Sequence, residues 1–427
     1  MVQEHKPELK RGGKKSGFRP DREQEHLLSA CLLKGDAALD AYSEWKTSVD
    51  LDNVDPGSYR LFPLLYVNLK SQGLEDPMMN IFKWVYTKTR DNNETLLRNL
   101  APLLEEFNNR GIEVILLKGA GLILSCYRDY GLRPMMDADL LVPTGKTGDA
   151  IKLITGLGWE SSITPLKGFK EMGLLSRLGW TPGDRKLEDF TDEYFCVRHG
   201  QDFTNPEKFT VDLHWHVLHG YNEPEADADF WQGARSVSLE GVHARVLDPA
   251  GLLLHVCSHG ARWDALPPIR WVADAACIVE GGGGGGEIDW ERFSDLSARH
   301  GKALHAREAL RYLNRYLERK VPEFVLADLD AVPVTKSQYL EYHIRTRPPG
   351  ILDGLYELGF LYGNYSRVNR DKNLFHRILG YPRFLQHVLG MEKLRHLLLY
   401  SVFEFVRRGA QIPRSIIRGV RNKPAKS

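Results

Sequence analysis

Asp137-Ala138-Asp139 sets two carboxylates one residue apart and runs straight into the apolar Leu140-Leu141-Val142. If residues 136–142 form a strand, successive side chains alternate faces, so both aspartates point the same way. Two carboxylates side by side repel, and a fold tolerates this mainly when a cation neutralises them. Mg²⁺ suits that role, since it takes one or two carboxylates and fills its shell with waters and substrate phosphates. Residues 209–217, Phe-Thr-Val-Asp-Leu-His-Trp-His-Val, alternate just as cleanly. Val211, Leu213, Trp215 and Val217 fall on one face and Asp212, His214 and His216 on the other. That is the pattern of a half-buried strand whose polar face looks into a cleft. Laid beside the first strand, Asp212 would complete a cage of three carboxylates. Two metal ions held there would activate an attacking oxygen and neutralise a pyrophosphate leaving group.

The elements that must position these groups are legible around them. Ile112 to Leu117 reads as a buried strand, entered after Gly111 stops a helix and left through a turn at Lys118-Gly119. Backbone N–H groups at the helix start that follows can receive a phosphate, with Lys118 as a point charge beside them. The spacing predicts helices over 120–130 and 147–157, and a polar stretch of helix and loop over 160–205. Residues 22–110 are expected to be mostly helical, with Leu27, Leu28, Cys31 and Leu32 at helical spacing, as are Leu96, Leu97, Leu100, Leu103 and Leu104. After Asp248-Pro249 the pattern turns helical again.

Together these segments resemble the nucleotidyltransferase superfamily typified by the palm of DNA polymerase beta, and within it an uncharacterised bacterial branch. The resemblance rests on Leu116 to Ala120, Tyr127 or Tyr130, Arg133, Asp137 to Val142 and Val211 to Trp215, and extends more weakly from about residue 23 to about 300. It implies an α+β fold, a small mixed sheet with helices, flanked by N-terminal and C-terminal helical regions. It also implies a Mg²⁺-dependent enzyme, two ions with Mn²⁺ as the alternative. Such an enzyme moves a nucleoside monophosphate from ATP or another triphosphate to an acceptor and releases pyrophosphate. The acceptor is open: a small molecule, a sugar, a protein or an RNA. Carried onto this chain, Asp137, Asp139 and Asp212 are the catalytic and metal residues, and Lys118, Gly119, Ala120, Arg133 and His214 the nucleotide-binding ones. One departure matters. Ala120 stands where most characterised members carry serine or glycine, and it cannot supply a serine's hydrogen bond to the triphosphate. A catalytically inactive nucleotide- or RNA-binding protein of the same fold is therefore the alternative reading.

Other roles stay open at this point. Arg133 either contacts phosphate or pairs with one of the aspartates. His214 and His216 are either site residues, since imidazole titrates near neutrality, or hydrogen-bond partners of the carboxylates. His255 and His259 share a helix face and, with Asp274, could form a phosphohydrolase metal site. The segment reads His-Val-Cys-Ser-His, however, without the glutamate of a zinc hydrolase motif. Packing against the sheet is the simpler reading, with His259, Arg270 or Asp274 reaching the acceptor.

Composition sets the frame. The chain of 427 residues has room for two or three domains, and its 42% hydrophobic and 26% charged content is that of a globular protein. Lys plus Arg number 57 against 56 Asp plus Glu, so net charge gives no sign of nucleic-acid binding. Five cysteines without a Cys-x-x-Cys pair argue against a disulfide framework or a cysteine zinc site. With a polar, basic N-terminus and no apolar run near the ~20 residues of a membrane span, the expected location is the cytoplasm. The expected organisation is a disordered basic segment over 1–21, a helical region over 22–110, a catalytic core over 111–247, a helical domain over 248–330 and a basic helical region over 331–427. Gly281 to Gly286 reads as an extended loop, because no Lys-Ser/Thr follows to make it a phosphate loop. From Arg367 to Ser427 fourteen Lys and Arg face three acids, a net charge of +11. Such a tail suits RNA phosphates or an anionic membrane surface, or is a packed helix with a solvated basic face.

Overall fold

Gly111 takes φ +63°, the left-handed conformation that ends the helix Met79–Asn109. The Ile112 N–H then bonds back to the Phe107 carbonyl and the Gly111 N–H to that of Asn108, while Ile112 and Phe107 join one apolar cluster. This closing motif satisfies carbonyls the helix would otherwise strand and aims the chain into the sheet. The structure is a computed structural model. It describes residues 19–161, 192–195, 198–219, 225–263, 268–281, 286–316, 320–347, 353–388 and 394–395.

Seven strands among the described residues make one mixed sheet. They are β1 (Ile115–Leu116), β2 (Ala138–Leu141), β3 (Glu160–Ser161), β4 (Gly200–Thr204), β5 (Thr210–His214), β6 (Arg235–Leu239) and β7 (Val242–Val246). Their order is β3-β4-β5-β2-β1-β7-β6. β1 pairs antiparallel with β2 and parallel with β7, and β2 pairs parallel with β5. The outer pairs are antiparallel. The α+β class read from the sequence is the one observed, and a mixed sheet lies at its centre. Two details differ from the local pattern. Helix 120–130 is instead a short helix, Lys118–Leu122, that widens into a π-helix over Ile123–Tyr127 and stops where Arg128 turns left-handed at φ +50°. The stretch read as helix and loop holds β3 and β4, and its residues 162–191 lie outside those described. Glycine, glutamine and threonine in β4 leave only Phe203 as a strong apolar signal for that strand.

The two faces of the sheet bury against different partners. Ala138, Leu140, Phe203, Val211, Leu213 and Val246 pack in a cluster with Leu97, Leu100 and Leu104 of Met79–Asn109 and Ile151 and Ile154 of the helix Thr147–Gly156. Ile115 and Leu141 point the other way, into a larger cluster. That cluster contains Leu253, Leu254 and Cys257 of the helix Pro249–Gly260, and Leu27, Trp45 and Phe62 of the N-terminal helices. Asp248 caps Pro249–Gly260, its side chain accepting from the Gly251 N–H at 2.9 Å, with Pro249 in the first helical turn where its missing N–H costs nothing. Gly121 is needed for a close approach. A Cβ there would stand 2.4 Å from the Leu116 carbonyl oxygen, and strand backbone has little room to yield. Gly121→Ala is expected to lose about 1–3 kcal/mol of stability, read as a lower urea midpoint at unchanged slope.

No helix among the described residues is long and apolar enough to cross a membrane. Residues 1–18, 282–285 and 396–427 lie outside the description, and with them most of the N-terminal segment, the hexaglycine run and the basic tail.

Candidate active site

The register of β2 on β5 sets Asp139 opposite Asp212 and Leu141 opposite His214. Cross-strand partners share a face, so the two carboxylates and the imidazole meet on the side of the sheet away from the Leu140–Leu213 cluster. Asp139 Oδ1 accepts from Lys118 Nζ, which also lies 3.7 Å from Asp212 Oδ2. His214 Nε2 stands 3.2 Å from Asp139 Oδ1 and 2.8 Å from Asp212 Oδ2. One donor atom from each of Asp139, Asp212 and His214 falls within 4.8 Å of the others, a group that can hold a metal ion. Gly200 on β4 faces this group. A Cβ there would meet His214 Nδ1 at 3.1 Å and Asp212 Oδ1 at 3.2 Å.

Charge balance explains why the cluster is tolerated. Burial alone would raise Asp139, but Lys118 and His214 together outweigh it and hold the carboxyl below the usual range. Burial opposes Asp212 in the same way, and His214 overcomes it. For the cations, burial would lower both pKa values. Asp139 and then Asp212 raise Lys118, while Asp212 brings His214 up to about 9. Lys118 reaches its place at some conformational cost. Its φ is +41°, sparsely populated by non-glycine residues, at the junction of β1 with the helix that follows.

Asp137 lies one residue before β2, at the cleft mouth and outside the Asp139–Asp212–His214 group. Desolvation and then the charge of Asp139 raise its carboxyl. The cleft holds about 490 Å³, ample for a nucleotide-sized ligand. Lys118, Gly119, Arg133, Asp137 and Asp139 line it, together with Arg60, His255, His259, Arg262 and Arg270. Gly119 leaves room for Met135 Sδ and the Arg133 guanidinium, which would lie 2.5 and 2.7 Å from a Cβ. Ala120 is fully buried with Leu116 and Ile123, so any contact it makes with a nucleotide runs through backbone.

Arg133 and Asp274 form a buried two-point ion pair. Arg133 Nε donates to Asp274 Oδ1 at 2.9 Å and Nη2 to Oδ2 at 3.0 Å, and the Tyr127 hydroxyl donates to the same carboxylate at 2.9 Å. The aspartate that Arg133 engages is thus one from a distant helix, Arg270–Val279, and not one of the Asp-x-Asp pair. His216 also turns from the carboxylates, its Nδ1 2.7 Å from Asp227 Oδ2. The imidazoles of His255 and His259 lie stacked in the cleft wall, ring centres 5.9 Å apart, while Asp274 is committed to Arg133 and Tyr127. Two further residues that spacing did not single out line the cleft, and a third lies next to Asp212 in the sheet. Arg60 and Arg262 reach the cleft from outside the core, and Asp202 of β4 lies opposite Asp212 in the sheet. The alternation of Gln201 and Phe203 about Asp202 was the available signal for the last.

A mixed sheet that lines up aspartates beneath a helix-walled cleft defines a nucleotidyltransferase-type core. The chain belongs to the family described as uncharacterised nucleotidyltransferase, which matches residues 58–318. Among solved structures it is similar to an antigenic nucleotidyltransferase-like protein from Paracoccidioides brasiliensis, at 14% identity and a TM-score of 0.32, over 57% of this chain and 96% of that one. No curated protein matches it.

Proposed function

We propose that this chain is a metal-dependent nucleotidyltransferase, moving a nucleoside monophosphate from a triphosphate to an acceptor hydroxyl with release of pyrophosphate. The observation that carries this reading is the pairing of Asp139 with Asp212 across adjacent strands, beside a cleft that Asp139 and Asp137 line. Two carboxylate oxygens are the donor set of a hard divalent cation, so Asp139 and Asp212, with Asp137 next to them, would hold Mg²⁺ or Mn²⁺. The ion would neutralise charge on the triphosphate and on the leaving pyrophosphate. The His214 imidazole positions both carboxylates through contacts of Nε2 with each. Lys118 supplies an ammonium that offsets the charge of Asp139 and Asp212. Asp212 takes the proton of the acceptor hydroxyl. Positioning and electrostatics account for most of the rate, since phosphoryl-type transfer asks for little covalent chemistry from the protein.

One observation favours the second reading, an inactive nucleotide-binding protein. Lys118 Nζ bridges Asp139 and Asp212, where it already balances the charge a metal would balance. Calorimetry with the four nucleoside triphosphates, with and without Mg²⁺, tests both. Mg²⁺-dependent binding selective for one base, lost in Asp137→Asn/Asp139→Asn, is expected. Binding that ignores Mg²⁺ and survives the double substitution favours the inactive protein, and no binding by folded protein ends the transferase reading.

A further inference from the structure

This inference rests on the transferase reading and concerns what holds the phosphates. The turn at Lys118-Gly119-Ala120 is poorly equipped for that task. The Lys118 ammonium is engaged by Asp139 and Asp212, the space over Gly119 is occupied by Met135 and Arg133, and the Ala120 methyl is in the core. The same cleft is lined by guanidiniums from elsewhere in the chain. Arg60 follows the short helix Pro56–Tyr59, Arg262 follows Pro249–Gly260 and Arg270 opens Arg270–Val279, so three separate segments each bring a guanidinium to one cavity. Among the described residues neither Arg60 nor Arg270 forms a direct ion pair with a carboxylate, although Asp274 and Asp137 act on Arg270 at longer range. Arg60 Nη2 lies 3.8 Å from Met136 Sδ, and Arg270 Nη1 donates to the Pro134 carbonyl at 2.7 Å. Burial and the nearby Arg133 charge bring Arg270 down to about 10, so this cation sits where a further anion would be welcome. His255, 3% exposed, lines the same cavity with the Val217 backbone beside its ring.

We propose that Arg60, Arg262, Arg270 and His255 form a polyphosphate-binding face that holds the β and γ phosphates of the donor. Guanidinium groups suit this, because their planar donors grip phosphate oxygens in pairs. Nothing in the face reads the base or the sugar, so inorganic tripolyphosphate should bind it.

The test is competition binding on the full chain, with ATP, inorganic tripolyphosphate and AMP as ligands. Arg60 is exposed, so replacing it does not disturb the core. Arg60→Ala is expected to weaken ATP and tripolyphosphate by about tenfold each and leave AMP unchanged, the loss of one charge-assisted contact. Arg60→Lys should recover part of the loss, since the charge remains but the paired donors do not. Arg270→Ala should behave like Arg60→Ala, with circular dichroism as the control for folding. If ATP binds with Mg²⁺ and both alanine variants keep wild-type affinities, the face is overturned while the transferase reading stands. If tripolyphosphate binds through the arginines but no nucleoside triphosphate competes, the face stands and the transferase reading falls. Weaker tripolyphosphate binding at unchanged ATP affinity would overturn the donor role and assign the arginines to an anionic acceptor.

Discussion

Asp139→Asn is expected to weaken Mg²⁺-dependent triphosphate binding by at least about a hundredfold, roughly 2.7 kcal/mol, and to abolish transfer. Asp139 sits at the centre of the site. It accepts from Lys118, faces His214 and lies opposite Asp212 in the sheet, and it is 5% exposed. Asparagine keeps the shape but removes the charge that would bind a cation, and it leaves Lys118 and His214 leaning on Asp212 alone. Asp137→Asn should cost far less, about tenfold, because that carboxyl stands at the cleft mouth outside the three-residue group. Calorimetric titration of both variants at fixed Mg²⁺, with circular dichroism as a control for folding, separates the two positions. Equal losses in the two variants would mean that the metal is shared evenly along the Asp-x-Asp segment. Wild-type affinity in Asp139→Asn would remove the metal site from the proposal.

Arg133→Met is expected to destabilise the fold by about 3–5 kcal/mol, the cost of leaving a buried charge unpaired. Both side chains of the Arg133–Asp274 pair are nearly inaccessible, at 7% and 5% exposure, and the two contacts are direct. With Arg133 gone, Asp274 would keep the Tyr127 hydroxyl and the longer-range charge of Arg270. Asp274→Leu should cost a similar amount for the mirror reason. The double variant Arg133→Met/Asp274→Leu should recover most of the loss, because apolar groups of similar size can replace a buried pair at little net cost. Urea unfolding of the four proteins measures this. Additive losses in the double variant would show that the pair is not the source of the effect. A near-neutral Arg133→Met with weakened triphosphate binding would instead return Arg133 to the phosphate role its position at the cleft also allows.

What the sequence by itself determined is what depends on short-range periodicity. Alternation in Val211-Asp212-Leu213-His214 is enough to place the acid and the imidazole on one face, whatever packs beneath. The same holds for Ala138 and Leu140 against Asp139, and for Gly111 as a stop, because only a glycine takes that backbone conformation at no cost. The nucleotidyltransferase family and the α+β class were legible for the same reason, as short motifs at local spacing. The tertiary structure alone decided the pairings that close long loops. Arg133 and Asp274 are 141 residues apart, and no spacing rule names one as the other's partner. The Asp139–Asp212 register and the place of Asp202 beside them follow from strand order, which periodicity does not encode. Arg60 falls in a region read only as mostly helical, and it lines the cleft because that region packs against the core. Ala120 and His216 went the other way. Each stood next to the motif in sequence, and packing turned the first into the core and the second toward Asp227.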